Sequence, residues 1–412
     1  MQISKYIGKL FVIILFIWIS LAPASIQQRY HITTNIFLFL FFIDLWAKKG
    51  KPIFKRSDFS LWVFLIAIGL NVFFAQQRNA ALGTYLNIFL PMLSIYYLVS
   101  ENFSDEASFS DLVKTISIFS ILVALLGMAE CVFRFNPIYQ YLIDNSYYRR
   151  YITGFVRPMS TQFNPVVLGS YLIASLPFNF LLFKQNKSLW KILGAVGIVL
   201  NTVVIILTFS RSIFLGLIGM IIFYLFLGKK FRALFAFSIS LLILTIVVTY
   251  LPYPFNRFGI NLMTTGSFGM VSDYRFQRCA MVGRIIKEHP FVGIGFQHVR
   301  IRFYEYYPYR GRVPYEFMIP DNMYLTILAE TGIVGFLGFF IFIFSIFKKA
   351  QRKLKILSAA PQKKQELLLI LSAFVGLSVN MAGYELFYWP NPYIYFCILI
   401  GLIEADYRNP GT

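Results

Sequence analysis

Three short clusters in this 412-residue chain combine residues able to hold an anion and move a proton. They are Thr208-Phe209-Ser210-Arg211-Ser212, the run from Arg275 through Arg278 to His289, and Pro320-Asp321-Asn322. A guanidinium is a planar fork of donors that grips phosphate or carboxylate in two places, so arginines suit a departing phosphate-like group. Arg211 sits between two apolar runs. It is either a snorkelling arginine at a membrane edge or an anion ligand at the floor of a cavity. Arg275 and Arg278 are three residues apart and share a helix face, whereas Arg284 is turned about 180° from Arg275. These two arginines therefore present either a solvated charged face or a joint grip on one ligand. His289, next to Pro290, reads more readily as a structural or interfacial residue than as a base.

Asp321 can take a proton from a hydroxyl. It also suits a helix N-cap before the apolar helix Met323 to Phe347. At 100° per residue, Gly332 falls about 20° and Gly335 about 40° from Asp321, so its carboxylate shares the small-residue face on which membrane helices pack. Glu330 falls about 180° away and roughly 14 Å along the axis, which excludes a two-carboxylate dyad and leaves its role open.

The elements that must carry these residues are membrane helices. The chain is 58% hydrophobic, 19% aromatic and only 14% charged, beyond ordinary soluble composition. Apolar runs of spanning length occur near 7–25, 32–47, 59–75, 80–99, 112–132, 163–183, 191–209, 212–228, 233–251, 322–347, 366–386 and 391–404. The fold class is all-α: a polytopic membrane bundle of about 12 helices. Residues 1–251 hold the first nine, with an amphipathic outer segment near 134–161 that mixes Tyr139, Tyr141, Tyr147, Tyr148 and Tyr151 with Arg149 and Arg150. Residues 252–320 form a large, partly helical outer loop, with helix over Tyr274 to Glu288 stopped by Pro290 and Gly293. Residues 321–412 hold the last three spans and an inner C-terminus.

In this threading the basic residues sort by type. Lys48, Lys49, Lys51, Lys229, Lys230 and the lysines of Lys348 to Lys355 fall inside, as do both termini. Outside stand one lysine, Lys287, and fifteen arginines, among them Arg157, Arg211, Arg275 and Arg278. Orientation alone would use either residue type, so the arginine bias marks an outer face built for anions. The net charge of +20 is scattered through short loops, which argues against a nucleic-acid surface. Cys131, Cys279 and Cys397 have no pairing or metal spacing. No Asp-x-Asp pair stands in the first outer loop, Gln27-Gln28-Arg29-Tyr30-His31, and neither a zinc-helix nor a phosphate-loop motif occurs. Neither metal nor cofactor is expected, because arginines can stabilise the charge of a departing pyrophosphate. No internal repeat is evident, and the ionisable candidates cluster at the outer edge instead of mid-membrane, which disfavours a transporter.

In this order and topology the clusters resemble the bacterial O-antigen ligase and O-antigen polymerase superfamily. The resemblance rests on Arg157 with Gln162-Phe163-Asn164-Pro165, on Ser210-Arg211, on Arg275 fourteen residues before His289-Pro290 with Gly293-x-Gly295, and on Asn322 followed by Gly332 and Gly335. Two positions depart from the family pattern: Cys279 stands where a tryptophan is usual, and Asp321 where ligases carry histidine before the asparagine. The second departure is more like polymerases.

The resemblance implies a GT-C-like, multi-pass enzyme of the inner membrane with both termini cytoplasmic and a periplasmic active site. Its donor would be an undecaprenyl-pyrophosphate-linked oligosaccharide. Its acceptor would be a glycan, for a polymerase, or the lipid A core, for a ligase, with membrane lipids and a chain-length regulator protein as further partners. Arg211 and Arg275, helped by Arg278 and Arg157, would hold the pyrophosphate, and Asn322 and His289 would line the site. Asp321 would be the base for a single displacement with inversion. Tyr304, Tyr306, Tyr307, Tyr309 and Tyr315 either stack on sugars or anchor at the interface.

Overall fold

In a computed structural model of the chain, residues 2–21, 59–138, 156–251, 267–307 and 318–405 are described. The predicted span near 32–47, the tyrosine and arginine run at 139–151, and Tyr309 and Tyr315 lie outside these residues. The described residues are helical, with no strand among them. In chain order the helices are α1 (Gln2–Leu21), α2 (Phe59–Phe74), α3 (Arg78–Asn102, with a π turn at Tyr85–Phe89), α4 (Glu106–Phe133), α5 (Pro165–Phe183), α6 (Ser188–Leu207), α7 (Arg211–Leu227) and α8 (Phe231–Thr249). There follow α9 (Ser267–Glu288), the single turns α10 (His298–Ile301) and α11 (Phe303–Tyr306), then α12 (Met323–Ile356), α13 (Pro361–Asn380) and α14 (Pro390–Glu404).

Seven helices among the described residues are long and apolar enough to cross a membrane, and three shorter apolar helices accompany them. Seven is fewer than the twelve expected from apolar runs. Length explains much of the gap: α2 and α7 have only 16 and 17 residues, and α14 has 15. Helix α8 is the least covered by protein, with Phe235, Leu242 and Ile243 all exposed. In water such a face would be a large apolar patch, and lipid is the solvent that suits it.

The interior combines aromatic contacts with polar cross-links. Phe64 of α2 stacks on Phe342 of α12 at 5.5 Å. Tyr171 of α5 bonds Ser20 of α1 at 2.7 Å, and Ser175 bonds Tyr395 of α14 at 3.0 Å. Ser120 of α4 accepts from both Asn179 and Asn201, joining α4, α5 and α6. Such bonds hold helices together where lipid removes the hydrophobic drive between them. Between α7 and α13 the backbones come so close that a Cβ on Gly216 would lie 2.7 Å from the carbonyl oxygen of Gly376. That close approach fixes the start of α7, and with it Arg211.

Helix direction sorts the charges. Helix α5 starts after Asn164 and ends at Lys184; α7 starts at Arg211 and ends before Lys229 and Lys230; α12 starts after Asp321 and runs out through Lys348, Lys349, Lys353 and Lys355. Lysines thus gather at the ends of these helices opposite Asn164, Arg211 and Asp321, with Arg352 among them.

Candidate active site

Three helices begin at the arginine end in the same way, with a non-glycine residue at positive φ followed by a polar cap position. Phe163 (φ 64°) precedes Asn164, whose side chain accepts from the Val166 amide at 2.7 Å. Phe209 (φ 46°) precedes Ser210 at the head of α7. Asp321 (φ 52°) precedes Asn322, whose side chain accepts from the Leu325 amide at 3.1 Å. The left-handed region is costly for side-chain-bearing residues, most of all bulky ones, and such conformations concentrate at functional sites.

Specific contacts bring these starts together. Arg157 Nε donates to the Thr208 carbonyl at 2.7 Å, which ties the strand of chain before α5 to the turn before Arg211. Ser212 lies against Gly383, where an added Cβ would come within 2.7 Å of the serine Cβ. Two residues beyond Gly383, Glu385 meets Thr326 in the first turn of α12 at 2.7 Å. Helix N-termini carry partial positive charge and outward-facing amides, so their convergence beside arginines favours an anionic ligand.

Asp321 does not cap α12, because Asn322 holds that position. The left-handed turn at Asp321 sends its carboxylate instead to Arg278 of α9, whose Nη1 lies 2.7 Å away and also donates to the Ile319 carbonyl at 2.7 Å. Arg278 is 2% exposed and Asp321 is 36% exposed, so the pair buries its cation and leaves the carboxylate reachable. Nη1 of Arg278 is thus held by two protein oxygens. It orients Asp321.

The straight-helix projection from Asp321 to Gly332 fails for a physical reason. Gly332 has φ 62° and ψ −167° and kinks α12. The loop His289-Pro290-Phe291-Val292-Gly293-Ile294-Gly295 packs into the kink and replaces the missing helical hydrogen bonds. Ile294 N and Gly295 N donate to the carbonyls of Ala329 and Glu330, while Ile333 N and Val334 N donate to those of Pro290 and Phe291. A Cβ on Gly332 would sit 2.3 Å from the Phe291 carbonyl carbon, and one on Gly293 2.4 Å from that of Glu330. The glycines of this motif thus serve backbone contact. Asn71 of α2 seals the junction, donating to Glu330 O at 2.8 Å and accepting from Phe296 N at 3.1 Å.

Among the described residues three carboxyl groups lie near the start of α12; sequence reasoning assigned a role to Asp321, left that of Glu330 open and did not point to Glu385. Glu330 is fully buried, accepts from Val299 N at 3.2 Å, and is bonded by the Tyr388 hydroxyl. Glu385, in the short link between α13 and α14, is 1% exposed. Burial pushes the Glu385 carboxyl well above the usual carboxylate range, and the neighbouring charges of Asp321 and Glu330 push the same way. Burial likewise raises the Tyr388 hydroxyl. The signal for Glu385 was available: it is a lone acid at the end of an apolar run, and such a residue is a functional candidate by default.

The other predicted residues are placed as follows. Arg211 is half-buried at the first position of α7. Arg275 lies on α9, three residues before Arg278. His289 bonds the Tyr306 hydroxyl at 2.9 Å, joining the end of α9 to α11. Among the loop tyrosines, Tyr306 is buried, Tyr307 stacks on Phe303 at 4.6 Å, and Tyr304 is exposed.

Residues 196–340 match the family model described as O-antigen ligase. This match supports the resemblance of the chain's motifs to the O-antigen ligase and polymerase superfamily. The matched segment contains Arg211, Arg275, Arg278, His289, Asp321 and Asn322, and leaves Arg157 and Glu385 outside. No curated protein matches the chain.

Proposed function

We propose that the chain is a multi-pass glycosyltransferase of the bacterial inner membrane. It takes oligosaccharide from undecaprenyl pyrophosphate at the periplasmic side, with both termini and the lysine end cytoplasmic. The observation that carries this reading is the Arg278–Asp321 pair, which presents a reachable carboxylate beside three converging helix starts, one of them opened by Arg211.

In the reaction an acceptor hydroxyl gives its proton to an Asp321 carboxylate oxygen while its own oxygen attacks the anomeric carbon of the donor. A new C–O bond forms and the anomeric bond to the pyrophosphate oxygen breaks. The bond's electron pair leaves with polyprenyl pyrophosphate, whose charge is met by Arg211, Arg275 and the helix N-termini. Arg157 braces the turn before Arg211, and Arg278 holds Asp321 in position. One displacement at one carbon inverts its configuration. A chain-length regulator protein is a candidate partner in such a system.

Polymerase is the favoured activity because Asp321 stands where ligases carry histidine. The match to a family described as O-antigen ligase keeps the ligase as the second reading. Incubating purified protein with a lipid-linked oligosaccharide and a lipid A core acceptor separates them. Longer lipid-linked glycan is the expected result, and glycan on the lipid A core means ligase. Relocated donor without a new glycosidic bond means a transporter and overturns the enzyme reading.

A further inference from the structure

The link between α13 and α14 places Glu385 against the helix turn that carries Asp321. Thr326 Oγ1 lies 2.7 Å from Glu385 Oε1 and 2.9 Å from the Asn322 carbonyl, so one hydroxyl hydrogen faces two acceptors. The other oxygen, Glu385 Oε2, is buried and has no hydrogen-bond partner among the described residues. An ionised carboxylate presents about four lone-pair sites. Glu130, another buried acid, has more donors: its Oε2 accepts from the amides of Met159 and Ser160 and from Asn136, although its Oε1, like Glu385 Oε2, has no partner among the described residues. Glu385 has a single shared hydroxyl. Burying a charge with so few donors is far costlier than burying the neutral acid, which can itself donate to Thr326.

We propose that Glu385 keeps its proton in the folded protein and serves as a positioning residue. As a neutral carboxyl it donates to Thr326, locks the first turn of α12, and leaves Asp321 as the anionic carboxylate of the site. Its surroundings fit this role. Asp321 faces it with negative charge, Arg300 opposes that with positive charge, and the Glu330 carboxyl and the Tyr388 hydroxyl lie among the same groups. Where two carboxyl groups share a site, their environments divide the roles of acid and anion between them. Tyr324 clamps the same turn from the other side, donating to the Ser378 carbonyl of α13 at 2.7 Å. The first turn of α12, after Asp321 and Asn322, is thus held both by the last turn of α13 and by the α13–α14 link. The positioning part of this inference rests on the proposed glycosyl transfer; the protonation of Glu385 does not.

The test compares wild type, Glu385→Gln and Glu385→Ala in two readouts. The first is thermal unfolding of purified protein against pH. A carboxyl whose proton is held more tightly in the folded state contributes stability below its unfolded pKa, and that contribution is lost as pH rises through the folded value. Wild type should therefore lose melting temperature on the alkaline side, and Glu385→Gln should lose less. The second readout is transfer rate against pH. Glu385→Gln, a neutral hydrogen-bonding substitute, should keep transfer and extend it to higher pH than wild type, whereas Glu385→Ala should lose it.

Identical wild-type and Glu385→Gln melting profiles would overturn the proposal, as would a Glu385→Gln protein that folds but has lost transfer. If no variant transfers glycan while the melting difference is present, the protonation of Glu385 stands and the glycosyltransferase reading fails. Should Glu385→Ala not fold, the glutamine variant alone decides.

Discussion

The two ends of the helix bundle use their cations differently. At the lysine end, Lys353 donates to the carbonyls of Ile403, Glu404 and Ala405, closing the last turn of α14, and Lys349 pairs with Glu404 at 3.1 Å. Cations at helix C-termini meet orphan carbonyls and the negative end of the dipole, so this arrangement is local satisfaction. At the arginine end, cations stand where helices begin, next to partial charge of their own sign. The backbone there passes through positive φ at Phe163, Phe209 and Asp321, and Glu385 is buried with one donor. Positive φ also occurs at Lys229 of the lysine end, so it is the charge gathered against local preference that fits the proposed anion site.

Substitutions at the two ends break or sharpen this contrast. Asp321→Asn keeps an oxygen for Arg278 but not a base, and should lower transfer by about 100-fold to 10,000-fold at normal protein levels. Full activity in a purified, folded variant would remove Asp321 from the chemistry. Arg211→Ala should lower transfer by roughly 100-fold to 1,000-fold, and Arg211→Lys should recover little, because an ammonium lacks the planar fork. Both are read as initial rates with a fixed lipid-linked donor.

Gly332→Ala tests the frame that holds the site. The left-handed backbone alone costs an alanine about 1 to 3 kcal/mol, and the clash with Phe291 adds to it. Its melting temperature in detergent should drop well below wild type. Lys353→Ala should be mildest, destabilising by about 1 to 2 kcal/mol through the lost carbonyl cap and leaving transfer intact. A loss of transfer like that of Arg211→Ala would erase the distinction between the ends.

Much of this arrangement was legible in the sequence, for reasons that differ by residue. Apolar run length located the helices, since backbone polar groups in lipid must be satisfied within each segment. The spacing of Arg275 and Arg278 gave their shared helix, and the order of Ser210-Arg211, His289-Pro290 and Asn322 pointed to one outer site.

Long-range pairing was hidden. Nothing local says that Arg278 turns to Asp321, 43 residues away, or that Thr326 meets Glu385, 59 residues away. Local geometry also misled. A uniform helical wheel assumed that α12 runs straight, but Gly332 adopts a left-handed conformation so that a loop backbone can enter the helix. Asp321 was read as a possible cap because aspartate and asparagine both cap well, and the choice between neighbours depended on a positive φ that the sequence does not display.

The anomeric configuration of the bond made by purified wild-type protein tests the central claim most directly. Among the described residues, the carboxyl groups near the start of α12 are those of Asp321, which is reachable, and of Glu330 and Glu385, which are buried, so the proposed mechanism uses Asp321 as the base of a single displacement. With a donor of known configuration and nuclear magnetic resonance of the product, the new linkage should be inverted, with one polyprenyl pyrophosphate released per bond. A retained configuration would contradict single displacement by a hydroxyl activated at Asp321.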